Sequence, residues 1–215
     1  MPSDTMGLGS WINRKRHNRG FGIQSPSAFF FITQVLREQR TYYAYPQLNK
    51  AIKGRRRHAR EMFRITNYLQ PKNCISVGAS DAACAMLLAK PSVQHYAFLN
   101  KAELNAEAGT LLSTEGCHII DSIEQFGTVI KEQGTIGMLY IDATDSTMPL
   151  VREALPHTDA KSVIAIAGIH RNRRTREWWQ QLVNDSATVV TYDMYSYGLL
   201  FFDKERRKQH YTLKR

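Results

Sequence analysis

From residue 73 onward, six short apolar runs alternate with segments of helix length. The runs are "CISVG" (74–78), "HYAFLN" (95–100), "CHIID" (117–121), "IGMLYID" (136–142), "SVIAIAG" (162–168) and "ATVVTYD" (187–193). Stretches such as "KAELNAEAGTLLS" and "TREWWQQLVND" lie between them. Continuous apolar strands separated by helices require a parallel sheet covered on both faces. Right-handed crossovers then make a doubly wound α/β domain, whose ligands bind at the carboxyl ends of the strands. The last run breaks the rhythm, because only "MYSY" precedes Gly198 and "LLFFD". Four residues cannot hold a crossover helix, so this strand is expected to return antiparallel.

The region ahead of the first run differs in charge. Residues 1–60 hold 12 Lys/Arg against 2 Asp/Glu, whereas residues 61–215 hold 17 against 17, so the whole net charge of +10 precedes the sheet. Such asymmetry marks either a contact with a polyanion or a solvated helix face. The first 24 residues, with "NRKRHNRG" and four glycines, lack periodicity and read as an arm anchored at most by Trp11 and Phe21. Ser25 then caps a helix that has Pro26 at its first position. A second helix is expected from about Leu48 to Leu69, with "KGRRRHAR" on its wet side and Ile52, Met62, Phe63 and Ile65 on its dry side. The division is therefore an arm and helical extension over 1–70 and an α/β domain over 71–215.

The apolar runs "AFFFI" and "SVIAIAGI" are too short to span a bilayer, and the start has no apolar core of signal-peptide length. A cytoplasmic protein without membrane contact is expected. Cys74, Cys84 and Cys117 are an odd set in apolar surroundings with no C-x-x-C spacing, which reads as buried thiols in a reducing compartment. Seven histidines are scattered singly, so no structural metal is expected.

Several segments together resemble one family. "GIQSPSAF" (22–29), ahead of the six strands, "AGIH" with "REWW" (167–170, 176–179), and "GLLFF" with "KQHY" (198–202, 208–211) occur in this order along the chain. The chain is similar to class I S-adenosylmethionine-dependent methyltransferases, and within them to bacterial proteins with a "GIHSPF"-type segment ahead of the cofactor domain. The resemblance implies a Rossmann-like fold, S-adenosylmethionine as cofactor, and a small-molecule or macromolecular substrate that the residues do not specify.

The resemblance also assigns positions, and here the chain departs from the pattern. Ser76 stands where the family has an acid serving the cofactor's methionine end. Gly78 keeps the tight turn, but Ser80 replaces a second glycine, and Ala82 and Ala83 narrow the loop. Ser80 or Asp81 can equally act as a helix cap. Asn100 takes the place of the acid that accepts two ribose hydroxyl bonds. Losing bonds of about 1.5–3 kcal/mol each would turn a micromolar ligand into a roughly millimolar one. Asp121 stands where the family approaches the adenine, or caps the helix starting near Ser122.

Asp142, which ends "LYID", and His170, which follows the next strand, are the candidates for chemistry, as an acid or base facing substrate. A metal held by Asp142, Asp145 and His170 lacks its "DD" partner, which is Ala167-Gly168 in this chain. Arg171, Arg173, Arg174 and Arg176 crowd a helix start, where the dipole disfavours cations, so they are either a solvated face or a polyanion site. Of the adjacent Trp178 and Trp179, one is expected in the core and the other at a contact surface. Two functions follow. One is a methyltransferase-like protein with a degraded cofactor site. The other is a non-catalytic protein on the same fold that holds nucleic acid or another polyanion.

Overall fold

The computed structural model describes residues 23, 25–54 and 56–213. The arm with Trp11 and Phe21, and so the proposed basic contact there, lies outside these residues. Among them, eight strands form one sheet in the order β3-β2-β1-β4-β5-β7-β6-β8. The strands are β1 (Asn73–Val77), β2 (Gln94–Phe98), β3 (Cys117–Ile120), β4 (Met138–Asp142), β5 (Val163–Ala167), β6 (Val190–Asp193), β7 (Tyr197–Phe201) and β8 (Gln209–Thr212). The first five pair parallel. β7 inserts between β5 and β6 and runs antiparallel to both, as the four-residue connection requires.

β8 was not foreseen in the sequence. It runs parallel to β6, with Tyr192 opposite Tyr211, and the two rings stack at 5.2 Å. The chain from β7 must therefore step over β6 to reach the sheet edge. Its signal was the alternation in "QHYTL", where Tyr211 and Leu213 are buried.

Helices cover the two faces unequally. On one face lie α1 (Pro26–Phe30), which continues as a π-helical turn Phe31–Leu36, then α2 (Tyr45–Ala51), α3 (Arg56–Leu69), α4 (Ser80–Ala89) and α5 (Ala106–Leu112). On the other lie α6 (Phe126–Gln133), α7 (Met148–Ala154) and α8 (Arg173–Asn184). Side-chain size along the strands accounts for this. Toward the first face β1 and β5 present Cys74, Ser76, Ala165 and Ala167, small residues that let helices approach closely, while β4 between them adds Met138 and Tyr140. Toward the other they present Ile75, Val77, Leu139, Ile141, Ile164 and Ile166. α4 is buried nearly all round, which is why its sequence has no polar stripe beyond Ser80 and Asp81.

Ser25 caps α1 by accepting from the Ala28 N–H, with Pro26 at the first position. The single helix expected over 48–69 is two. Ile52 turns extended (ψ 138°) at the end of α2, and α3 restarts beyond Gly54, a poor helix residue. The dry side holds, with Ile52, Met62, Phe63 and Ile65 all buried, but His58 from the supposed wet side is buried too. Both tryptophans are also inside, Trp179 at 0% and Trp178 at 8% exposure, in the same cluster. Adjacent helical positions diverge by about 100°, yet indoles are long enough to reach the sheet from both flanks.

Candidate functional site

A parallel sheet brings the ends of sequence-distant strands to one edge, and here that edge carries every strand-end residue singled out above. In the order of the sheet it runs through Asp121, Asn100, Gly78, Asp142 and then the β5–α8 loop with His170. Gly78 turns the chain at φ +75°, and a methyl group added there would lie 3.6 Å from Asp142 Cβ. The β1 turn and the acid of β4 are thus in direct contact range.

The cofactor candidates are placed as follows. Ser76 lies within β1 at 1% exposure, between Ala97 and Tyr140 in register, so it is part of the core rather than the rim. Ser80 and Asp81 open α4, but neither caps it: Ala79 is the capping residue and makes no side-chain bond. Ala82 and Ala83 do not narrow a loop, because they are buried inside α4. Asn100 is exposed, and its amide serves its own chain: Oδ1 accepts from the Ala102 N–H at 3.0 Å and Nδ2 donates to Glu103 Oε1 at 3.0 Å. Asp121 caps no helix at Ser122; its Oδ1 accepts the Lys101 N–H at 3.3 Å, across from the neighbouring strand. An isolated sequence could not show this, because the donor belongs to the β2 end, 20 residues away.

The candidates for chemistry have partners that the sequence reading missed. Arg171 donates through Nη2 to Asp142 Oδ1 at 2.6 Å and through Nη1 to the Ala143 carbonyl at 2.6 Å. It reaches them by crossing Gly168, where φ is +77° and a Cβ would lie 2.8 Å from the guanidinium. Gly168 therefore makes room for the Arg171 guanidinium. His170 Nε2 meets Asp193 Oδ2 at 2.7 Å, and its ring stacks on Tyr195 at 5.2 Å. Asp193 is 2% exposed and its Oδ1 accepts the Tyr195 N–H, holding Tyr195 at φ +67° in the β6–β7 turn. The signal for Asp193 was present as an acid ending "VTYD" directly before a turn.

Asp142, Asp145 and His170 do not converge as ligands: Asp145 pairs with Arg174 at 2.8 Å while the other two bond to Arg171 and Asp193. Among the described residues no cluster of His, Cys, Asp or Glu is arranged to hold a metal. The arginine cluster is also largely committed. Besides Arg171, Arg173 pairs with Glu177 one helical turn on at 2.6 Å, and Arg174 takes Asp145. Arg176 is exposed in the first turn of α8. The dipole penalty is thus offset by carboxylates and by a capping box between Asn172 and Thr175, without need of a bound anion.

No protein-family model matches the chain, and none of the curated proteins does. Solved structures do resemble it. The SAH-bound methyltransferase PaMTH1 of Podospora anserina aligns with TM-score 0.60 over 83% of this chain and 96% of its own, at 10% identity. The O-methyltransferase TomG of Streptomyces achromogenes, in complex with SAM, gives 0.57 over 88% and 98%, at 12% identity. An O-methyltransferase of Bacillus cereus, in complex with SAH, gives 0.58 over 81% and 96%, at 8% identity. At such identities the likeness is one of architecture. This chain has the Rossmann-like fold of class I methyltransferases, with its mixed sheet and helices on both faces. Among the described residues no helix is long and apolar enough to cross a membrane.

Proposed function

We propose that this protein is a methyltransferase-like protein whose ligand edge is built for S-adenosylmethionine but grips it weakly. The tight turn at Gly78 beside Asp142 supports the first half of this reading. The second half rests on one observation: the acceptors and acids that would hold the ligand are already satisfied by the chain itself. Asn100 and Asp121 bond to backbone N–H groups of the 101–103 turn, and Asp142 bonds to Arg171. A ligand has to share or displace these bonds to make its own, which lowers the net free energy of binding. The neutral Asn100 lacks the charge-assisted pair as well.

S-adenosylmethionine is therefore expected to bind no tighter than about millimolar. Calorimetric titration with the cofactor and its demethylated product tests this. Asn100→Asp should tighten binding by restoring the charged acceptor, whereas an acid at Ser76 would be buried against Tyr140 and should destabilise the fold. A low-micromolar dissociation constant for the unmodified protein would overturn the weak-grip reading. The reactive centre of this reading is Asp142 with His170, the latter oriented by Asp193.

A further inference from the structure

A hollow of about 570 Å3 that shares no lining residue with the strand-end edge lies between the π-helical turn, α2 and the start of α3. Six arginines line it: Arg37, Arg40, Arg56, Arg57, Arg60 and Arg64. Two acids, Glu38 and Glu61, accompany them among the described lining residues. Arg64 is structural, since it donates to the Val35 and Leu36 carbonyls at 2.9 Å and closes the end of the π turn. Glu61 faces Arg57 at 3.0 Å from a buried position, and Arg40 reaches Glu38 only at 3.9 Å.

Three features of this hollow point to an anionic ligand. α3 begins with arginines and has no acid in its first turn, against the preference of the helix dipole. Among the described lining residues, six arginines share the hollow with two carboxylates, Glu38 and Glu61. Arg60 is held over the Tyr45 ring at 4.8 Å and bonded to Asn49, yet its Nε–H is buried with no hydrogen-bond partner. These contacts fix the guanidinium in the lining of the hollow, so its charge is pre-positioned for an anion, while the enclosed Nε–H stays out of a ligand's reach.

We infer that this hollow binds a compact ligand with several linked phosphates, through Arg40, Arg56, Arg57 and Arg60. Among the described residues its lining includes only Leu36 and the arginine-covered Tyr45 as apolar or aromatic groups, so recognition is of phosphates and not of a base. The site is distinct from the cofactor edge and does not depend on that reading.

Inorganic tripolyphosphate is the probe, titrated into the full chain at low salt, with orthophosphate, a nucleoside triphosphate and a single-stranded oligonucleotide as parallel arms. Tripolyphosphate should bind saturably at one site. The nucleoside triphosphate should match it within about threefold and orthophosphate should fall well below, because only linked phosphates span several guanidinium groups. Arg40→Gln with Arg56→Gln, both on exposed side chains, should weaken binding at least about tenfold while leaving the thermal midpoint in place. Arg60→Lys, which keeps the charge but removes the planar guanidinium held by Asn49 and Tyr45, should also weaken it. Arg173→Gln with Arg174→Gln should change nothing. Absence of saturation, equal losses in the hollow and α8 variants, or tighter binding of the oligonucleotide than of tripolyphosphate would each overturn the proposal.

Discussion

Gly198 and Trp179 show how one atom can decide packing. A methyl group at Gly198 would lie 2.4 Å from Trp179 Cη2, so the indole lies directly on the bare backbone of β7. Gly198→Ala should therefore destabilise by about 1–3 kcal/mol, read from the midpoint of urea unfolding, while Gly54→Ala, with open space around it, should not. His95 is a second residue with a measurable signature. It is buried, and its Nε2–H donates to the Lys90 carbonyl at 2.8 Å. Burial pushes its pKa below the usual histidine value, against the smaller upward pull of that bond. The unfolded chain then binds the proton first, so the stabilising contribution is present above about pH 6.5 and is lost as pH falls through the lowered folded value. Urea midpoints should decline on acidification, and His95→Gln should reduce that slope. Cys74 and Cys84 are buried as the sequence led one to expect, Cys117 only partly, and burial raises all three thiols, Cys84 to about 12 and Cys117 to about 11.

At the scale of elements, α8 is where sequence and structure diverge most usefully. Read alone, four arginines at a helix start are either a solvated face or a polyanion site. The structure instead supplies a carboxylate for three of them and a reciprocal Asn172–Thr175 cap. Asn172→Ala should cost about 1 kcal/mol, visible as a lower thermal midpoint. Arg171→Ala should cost about as much, since its pair with Asp142 is partly exposed. Lysine in its place should not restore the loss, because one ammonium cannot reproduce the fork to both the Asp142 carboxylate and the Ala143 carbonyl. The strands and their order of appearance were legible from apolar runs, and the antiparallel return from a connection too short for a helix. The break between α2 and α3 was not, because arginine-rich helix sequence continues straight across the bend.

For the whole molecule, the sheet edge gathers Gly78, Asn100, Asp121, Asp142 and His170 from five separate segments. Their convergence was anticipated from the α/β alternation, since parallel strands put all their carboxyl ends on one side. What each residue does at that edge was not. The charge asymmetry was equally visible in the sequence, but the hollow lined from α3 and the π turn was not, because its arginines come from segments that only folding brings together.

The sequence by itself determined the six core strands, their crossovers, the reversal of β7 and the residues that end at the ligand edge. These depend on hydrophobic period and connection length, which are local properties of a chain. Tertiary structure alone decided that Arg171 pairs with Asp142, that Asp193 holds His170, that Asp121 caps a neighbouring turn and that both tryptophans are buried. Each of those outcomes is a pairing between segments distant in sequence, and such pairings are set by geometry after the sheet has formed.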